Sequence, residues 1–479
     1  MMVAGGCLAG CGDPSPGASS AVASVSPSAK LETVASLLED LAAPRHPSDG
    51  GGRAWLADEA APVAVGRPGR YRIIYEAGPH GIADGGALYL LPSPFWGWSG
   101  AQTRDPDLPG YTVVSTPAEG VRLDTFSADG QLLVISIAGR DLRPGERVEM
   151  DYGAGRLGAT VDRFSERASP LWVAVDGDGD GVRAVLPDSP VVPVAAGPAA
   201  LMVLTLPSIA RPGEPVRLTV AILDAVGNAG VAFAGSISLE GTPPGAEFPE
   251  SITLDTSAGG LATVAITFPF PGTYRLVGTT ANGIMGASNP VVVSPGGSRI
   301  FWGDLHGHSA LSDGTATPED YLAYARDAAG LDVVALTDHD HWGLVFLDQA
   351  PSLWKEIRDQ NERFYEPGSF VTLLGYEWTN WSHGHRHVLY FDGSGEVLSS
   401  MDPNYDTPTE LWAALRGHNA LTVAHHSAGG PVATNWDYAP DHELEPVTEV
   451  VSVHGSSEAF DSPHPIYSAI EGNLSLIHI

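Results

Sequence analysis

From about residue 55 to residue 295 the chain runs in short alternating stretches cut by Pro-Gly turns, a grammar that restricts this half to antiparallel β structure. The clearest stretch is Val216 to Leu223. Val216, Leu218, Val220 and Ile222 share one face, with Arg217 and Thr219 on the other, as a half-buried sheet requires. Ala262, Val264, Ile266 and Phe268 keep a similar register. Arg-Pro-Gly-Glu occurs at 143–146 and again at 211–214, each time just before a predicted strand. With 57 Gly and 39 Pro, a mostly helical fold is excluded. The expectation is two successive β-sandwich domains, 55–195 and 198–295, and they resemble bacterial immunoglobulin-like domains.

After Ser294-Pro295-Gly296-Gly297-Ser298 the pattern becomes strands alternating with capped helices. Thr317-Pro318-Glu319-Asp320 gives an N-cap, a proline at the first helical position and an acid three residues past the cap; Gly330 ends that helix. Leu331 to Leu336 follows as a buried strand. Thr407-Pro408-Thr409-Glu410, a terminating Gly417 and a strand from Leu421 to Ala424 repeat the construction. Two such units predict an α/β domain with parallel strands, open or closed into a barrel, over 299–473.

Histidine use marks this domain. Of 16 histidines, 14 lie in residues 299–479, where an even spread would place about six. Asp304-Leu305-His306-Gly307-His308 closes a short apolar run; on a strand the i, i+2 spacing would point both imidazoles to one face, with Gly307 leaving room for an ion. Asp313 follows. Val333 to Leu336 ends in Thr337-Asp338-His339-Asp340, and Val371 to Leu374 in Gly375-Tyr376-Glu377. His385 and His387 precede another apolar run, and Leu421 to Ala424 ends in His425-His426. Nitrogen and carboxylate donors thus recur at strand ends, where α/β folds place their sites. The only cysteines are Cys7 and Cys11, so a metal here must take imidazole and carboxylate, which suits Zn, Mn or Fe.

These motifs resemble the PHP (polymerase and histidinol phosphatase) superfamily, and most of all an extracytoplasmic branch in which Gly-Asp-Leu-His, Gly-Tyr-Glu-Trp and His-Gly-Ser-Ser-Glu recur, here at 303–306, 375–378 and 454–458. The resemblance covers about 175 residues. It implies a distorted (β/α)7 barrel holding two or three divalent ions. His306 and His308 would bind one ion with a late Asp, Glu377 would bridge two, and Asp313, His339 and His425 would complete the set. One further ligand would be His385 or His387, which share a strand face. His426 and His454 would contact substrate or support ligands, and Asp338 or Asp340 would orient His339 through its second ring nitrogen. The implied activity is phosphoester hydrolysis by water activated between ions about 3.5–4 Å apart. Metal-assisted amide or lactone hydrolysis, or a surface-anchored binding protein on a non-catalytic scaffold, are the alternatives. The PHP pattern closes with an Asp-x-His pair, which this sequence lacks after Glu458, and its last residues, 474–479, read like a translated sequencing adapter; the barrel is expected to be incomplete.

The remaining features concern placement and partners. With 25 Lys+Arg against 57 Asp+Glu the net charge is −32, which repels nucleic acid and anionic lipid. Leu8-Ala9-Gly10-Cys11 resembles a lipoprotein lipobox, so residues 1–11 would be a signal remnant, Cys11 the lipidated residue, 12–54 a tether with a short helix, and the location extracytoplasmic on a bacterial membrane. Membrane contact is expected only through that lipid, the partner being a small or surface-borne phosphoester. Asp176, Asp178 and Asp180 in a Gly-rich turn resemble the start of a calcium loop, though Pro187 stands where an EF-hand needs Glu. Phe95-Trp96-Gly97-Trp98 reads as sandwich core or as an exposed aromatic platform for sugar or for the neighbouring domain.

Overall fold

The computed structural model describes residues 42–458 except 129, 297, 342–345, 429–431 and 453–454, with positions 35, 38 and 39 before them. Cys11, His454 and 474–479 lie outside the described residues.

The chain is mostly β-sheet with few helices. In the first sandwich, a sheet ordered Arg53–Leu56, Tyr71–Glu76, Arg147–Tyr152, Thr112–Ser115 faces a larger one containing Glu166–Asp176, Ala87–Pro92, Leu132–Ala138 and Arg122–Ala128. Ile73, Leu88, Leu90, Leu133, Val148, Met150, Val173 and Val175 close the space between them. Packing begins before residue 55: Ser48 is buried, Gly50 N donates to Val175 O at 3.1 Å, and Arg53 already pairs with Glu76. The tether predicted over 12–54 therefore ends by about His46.

Both Arg-Pro-Gly-Glu segments are turns closed by i+3 to i hydrogen bonds, Glu146 N to Arg143 O and Glu214 N to Arg211 O. Pro at the second position and a glycine with positive φ at the third, 80° at Gly145 and 76° at Gly213, are what a type II turn requires. The second sandwich sets Leu201–Thr205, Pro215–Leu223 and Leu261–Thr267 against a sheet built around Gly272–Thr280. Here the pattern misled. Thr219, on the face expected to meet solvent, is buried together with Leu223, because the helical turn Ala325–Ala329 packs Ala328 on Ala221 and Leu223, and Arg217 donates to Leu331 O.

The C-terminal region carries a five-stranded sheet ordered Gly303–Asp304, Val333–Leu336, Val371–Asn380, Gly384–Tyr390, Ala420–Ala424. The first three run parallel, but Gly384–Tyr390 is antiparallel to both neighbours. The uniformly parallel arrangement is thus corrected. Residues 381–383 alone join the third and fourth strands, far too few for the crossover a parallel pair needs. Among the described residues the sheet does not close. Both predicted capping boxes form, Thr317 with Asp320 ahead of Pro318–Tyr324 and Thr407 with Glu410 ahead of Pro408–Leu415.

Candidate metal centre

Strand alternation explains why the donors converge. In Val371–Asn380, Leu374, Tyr376 and Trp378 enter the hydrophobic core, which turns Glu377 and Thr379 to the opposite face. The hairpin register sets Glu377 opposite His387 and Thr379 opposite His385, with Arg386 and Val388 pointing away. Because Gly384–Tyr390 is antiparallel, its N-terminal half lies at the same edge as the C-terminal ends of its neighbours. His339, Glu377 and His425 therefore meet His385 and His387 there.

Glu377 is fully buried, and imidazoles surround it. Its Oε1 lies 2.7 Å from His385 Nδ1, 3.1 Å from His339 Nδ1 and 3.1 Å from His425 Nε2. Its Oε2 lies 3.3 Å from His308 Nε2, 3.5 Å from His387 Nε2 and 3.9 Å from His306 Nε2. Asp313 Oδ1 lies 3.4 Å from His339 Nε2 and 3.7 Å from His308 Nδ1. Three overlapping groups each bring one donor atom per residue within 4.8 Å of the others: His306, Glu377, His387, His425; His308, His339, Glu377; and His385, His425, His426.

Electrostatics favours metal-ready protonation states for most of this set. Burial opposes ionisation of Glu377, yet His339 and His425 outweigh it and hold the carboxyl well below its ordinary range. Burial and neighbouring imidazoles keep His387 and His425 well below 6.5, hence neutral with a free lone pair. His339 moves up, because Glu377 and Asp313 outweigh its burial; His306 is also raised, with Glu449 and Glu377 overcoming burial.

The residues fit a cation. Both carboxylate oxygens of Glu377, both ring nitrogens of His425, His387 Nε2 and Asp313 Oδ1 are buried without a hydrogen bond of acceptable geometry. Buried polar atoms are ordinarily bonded, so a converging set of this kind is what a positive ion would satisfy. His/Glu clusters able to hold a metal are therefore present.

Several expectations need correction. His306 and His308 follow the Gly303–Asp304 strand and are not on it; their rings sit edge to face, 5.4 Å apart. Gly307 makes room for a side chain, since a Cβ there would meet the Tyr321 hydroxyl at 2.0 Å. Asp338 accepts from Ser309 N, Ser309 Oγ and Ser312 Oγ at 2.6–2.8 Å, and Asp340 from Thr379 N and Ser400 N, so these carboxylates hold loops. His339 Nδ1 instead lies 2.7 Å from Thr379 Oγ1. His426 belongs to one of the groups able to hold a metal, at a left-handed φ of 53° that a non-glycine residue adopts only when its surroundings impose it. The choice between His385 and His387 dissolves, because each enters a different group. In the acidic turn, Asp49 and not Asp180 joins Asp176 and Asp178. Asp176 already accepts from Gly179 N and Gly181 N, and Asp180 from Val182 N.

Two contributors escaped the sequence reading. Glu449 Oε2 lies 2.7 Å from His306 Nδ1, the place where a late Asp was expected, and Thr379 is named above. Only the i+2 spacing of Thr379 from Glu377 could have flagged it; a lone Glu449 gives no signal.

Comparisons with known proteins are modest. A family model described as a protein of unknown function (DUF3604) matches residues 335–468, a stretch that includes His339, Glu377, His385, His387, His425 and His426. An uncharacterized protein of Chlamydia pneumoniae is 25% identical over 174 residues, 35% of this chain, and the chain spans 27% of that protein's length. Among solved structures, a superoxide reductase (neelaredoxin) from Ignicoccus hospitalis is 12% identical, covering 20% of this chain and 82% of its own, with a TM-score of 0.15. A beta-glycosidase from Bacteroides vulgatus is 13% identical, covering 51% of this chain and 25% of its own, with a TM-score of 0.20. At such TM-scores neither structure bears on fold or chemistry here.

Proposed function

We propose that the C-terminal region is a PHP-like metal-dependent hydrolase acting on phosphoesters. The observation that carries this reading is Glu377, a buried carboxylate ringed by His306, His308, His339, His385, His387 and His425 within 3.9 Å and lacking a well-formed hydrogen bond. On this reading the five-stranded mixed sheet is part of a distorted (β/α)7 barrel, the sandwiches before it are immunoglobulin-like, and Cys11 anchors the protein outside the cytoplasm.

His306, His387 and His425 would hold one ion and His308, His339 and Asp313 a second, with Glu377 shared; His385 and His426 would serve a third together with His425. When bound, such ions lower the pKa of water and neutralise charge on a phosphoryl group. The chain's own work is to present His387 and His425 as neutral imidazoles, keep Glu377 ionised and fix His339 through Thr379. His306, His308, Asp313 and Glu449 retain exposure and form the side that substrate reaches.

Metal content by mass spectrometry on the full chain, beside Glu377→Gln, is the test, followed by a panel of phosphomonoesters and diesters. Two or three equivalents of Mn, Fe or Zn, reduced in the variant, together with ester hydrolysis, are expected. Well-folded protein that takes up no metal overturns the reading.

A further inference from the structure

Most donors of the centre ride on the sheet or its immediate ends, but Asp313 sits in the irregular segment between His308 and Thr317. A carboxylate on such a loop is placed only as well as the loop is held. From within, Asp338 takes three hydrogen bonds from Ser309 and Ser312. From outside, the support comes from residues about 150 to 217 positions earlier in the chain. Trp96 Nε1 donates to the Asp313 carbonyl at 2.7 Å, and Ala316 N donates to Glu166 Oε2 at 2.8 Å. Ala316 has φ 62°, a conformation unfavourable for a residue with a Cβ, so an amide bond that fixes it has structural consequence.

Glu166 is itself rigidly mounted. It is buried, its Oε1 accepts from Ser169 Oγ at 2.7 Å, and Ser169 Oγ accepts from Trp98 Nε1 at 3.0 Å. Trp98 lies in the first sandwich core with its ring 5.7 Å from Tyr71 and 6.2 Å from Tyr152. An unbroken run of hydrogen bonds thus links that core to the Asp313 loop. Beside it, Arg167 pairs with Asp320 and Glu319 on the helix that follows the loop.

We propose that Trp96 and Glu166 are positioning residues that hold Asp313 against His308 and His339, making the first β-sandwich a structural part of the metal centre. The inference rests on the metal reading for its consequence, though the bracing itself does not need a metal. Within the aromatic segment, Trp98 is sandwich core, whereas Trp96 makes the contact to the neighbouring domain that the sequence left open. It also separates the ion groups: the one containing His308 and His339 depends on the sandwich, whereas the one formed by His306, His387 and His425 does not.

The test uses the full chain with three substitutions. Trp96→Phe keeps the ring and removes the donor; Glu166→Leu removes the acceptor; Glu166→Gln keeps a carbonyl oxygen for the Ala316 amide. In metal-free protein, amide exchange across 309–316 should accelerate in Trp96→Phe and Glu166→Leu and be restored in Glu166→Gln, at unchanged melting temperature. Titration with Mn²⁺ should show one equivalent bound about 10-fold more weakly in the first two variants, the size typical of lost support behind a ligand, and the others unchanged. Wild-type exchange rates in Trp96→Phe and Glu166→Leu overturn the proposal, as does a uniform loss of every equivalent. Wild-type protein that binds no metal sinks the metal reading, and exchange alone then decides the bracing.

Discussion

Asp162 should make the first sandwich less stable as pH rises. Its side chain is fully buried; Oδ1 accepts from Phe164 N at 2.8 Å, while Oδ2 has no hydrogen-bond partner. Burial, with the Glu166 charge adding to it, outweighs the Phe164 amide and pushes the carboxyl from 3.8 up to about 8. The sign follows from linkage. Below about pH 4 both folded and unfolded chains carry the proton, so Asp162 contributes no pH dependence. Between 4 and 8 the unfolded chain releases it and the folded chain does not, and stability falls by about 1.4 kcal/mol per pH unit. Above 8 the penalty is complete, on the order of 5 kcal/mol. Asp162→Asn keeps the acceptor for Phe164 and cannot ionise. Its advantage over wild type should be about 1 kcal/mol at pH 4.5 and rise to several kcal/mol at pH 8.5. That corresponds to roughly 10 °C in the melting transition of a domain this size. Urea unfolding of both proteins across that range is the assay. A difference that stays flat, or wild type gaining on the variant as pH rises, refutes the argument.

Two further substitutions probe the frame of the candidate metal centre. Gly307→Ala drives a methyl into the Tyr321 hydroxyl, whose partner is Ala335 O; a cost of about 1–3 kcal/mol is expected, with His306 and His308 displaced, so that metal affinity falls more steeply than stability. Calorimetric metal titration alongside urea unfolding checks this, and wild-type affinity would contradict it. Arg386 is buried on the far side of the His385 and His387 strand, donates to Glu445 Oε2 at 2.8 Å, and lies 5.8 Å from the Trp378 ring centre. Arg386→Met strands the Glu445 charge and should cost about 3–5 kcal/mol, most of it recovered in Arg386→Met/Glu445→Leu. A single-variant loss below about 1 kcal/mol in denaturant unfolding would show that the pair is not the constraint supposed.

How far the fold could be read depends on the range of the interaction that decides each feature. Turn and cap chemistry is local, so the type II turns at 143–146 and 211–214 and the boxes at Thr317 and Thr407 are where the residues placed them. The period-2 pairing of His385 with His387 is local too, and correctly gave a shared face. Strand direction is not local. The Asn380-to-Gly384 connection has no Asn-Gly or Asp-Gly signature, and only its shortness distinguishes a hairpin from a crossover. Thr219 looked solvent-facing because a strand records the polarity of its residues, whereas here the partner on that face is a helical turn more than a hundred residues later.

The centre divides along the same line. Its histidines and Glu377 announce themselves by type and by position at the ends of apolar runs. The groups that aim them do not, because a threonine, a tryptophan N–H or a single glutamate is ordinary anywhere. Thr379 is visible only once Glu377 is known to face inward, since two residues along a strand share a face. Glu449 reaches His306 because Thr448 bridges to Ala424 and carries its neighbour to the same sheet edge. Glu166 lies in a sandwich strand where an acidic residue would ordinarily face water; its burial makes sense only with the Ala316 amide beside it. A sequence therefore names donors more readily than it names the residues that fix their geometry. For this chain, substitutions at Thr379, Glu449, Trp96 and Glu166 would test the architecture of the site more sharply than removal of any one histidine.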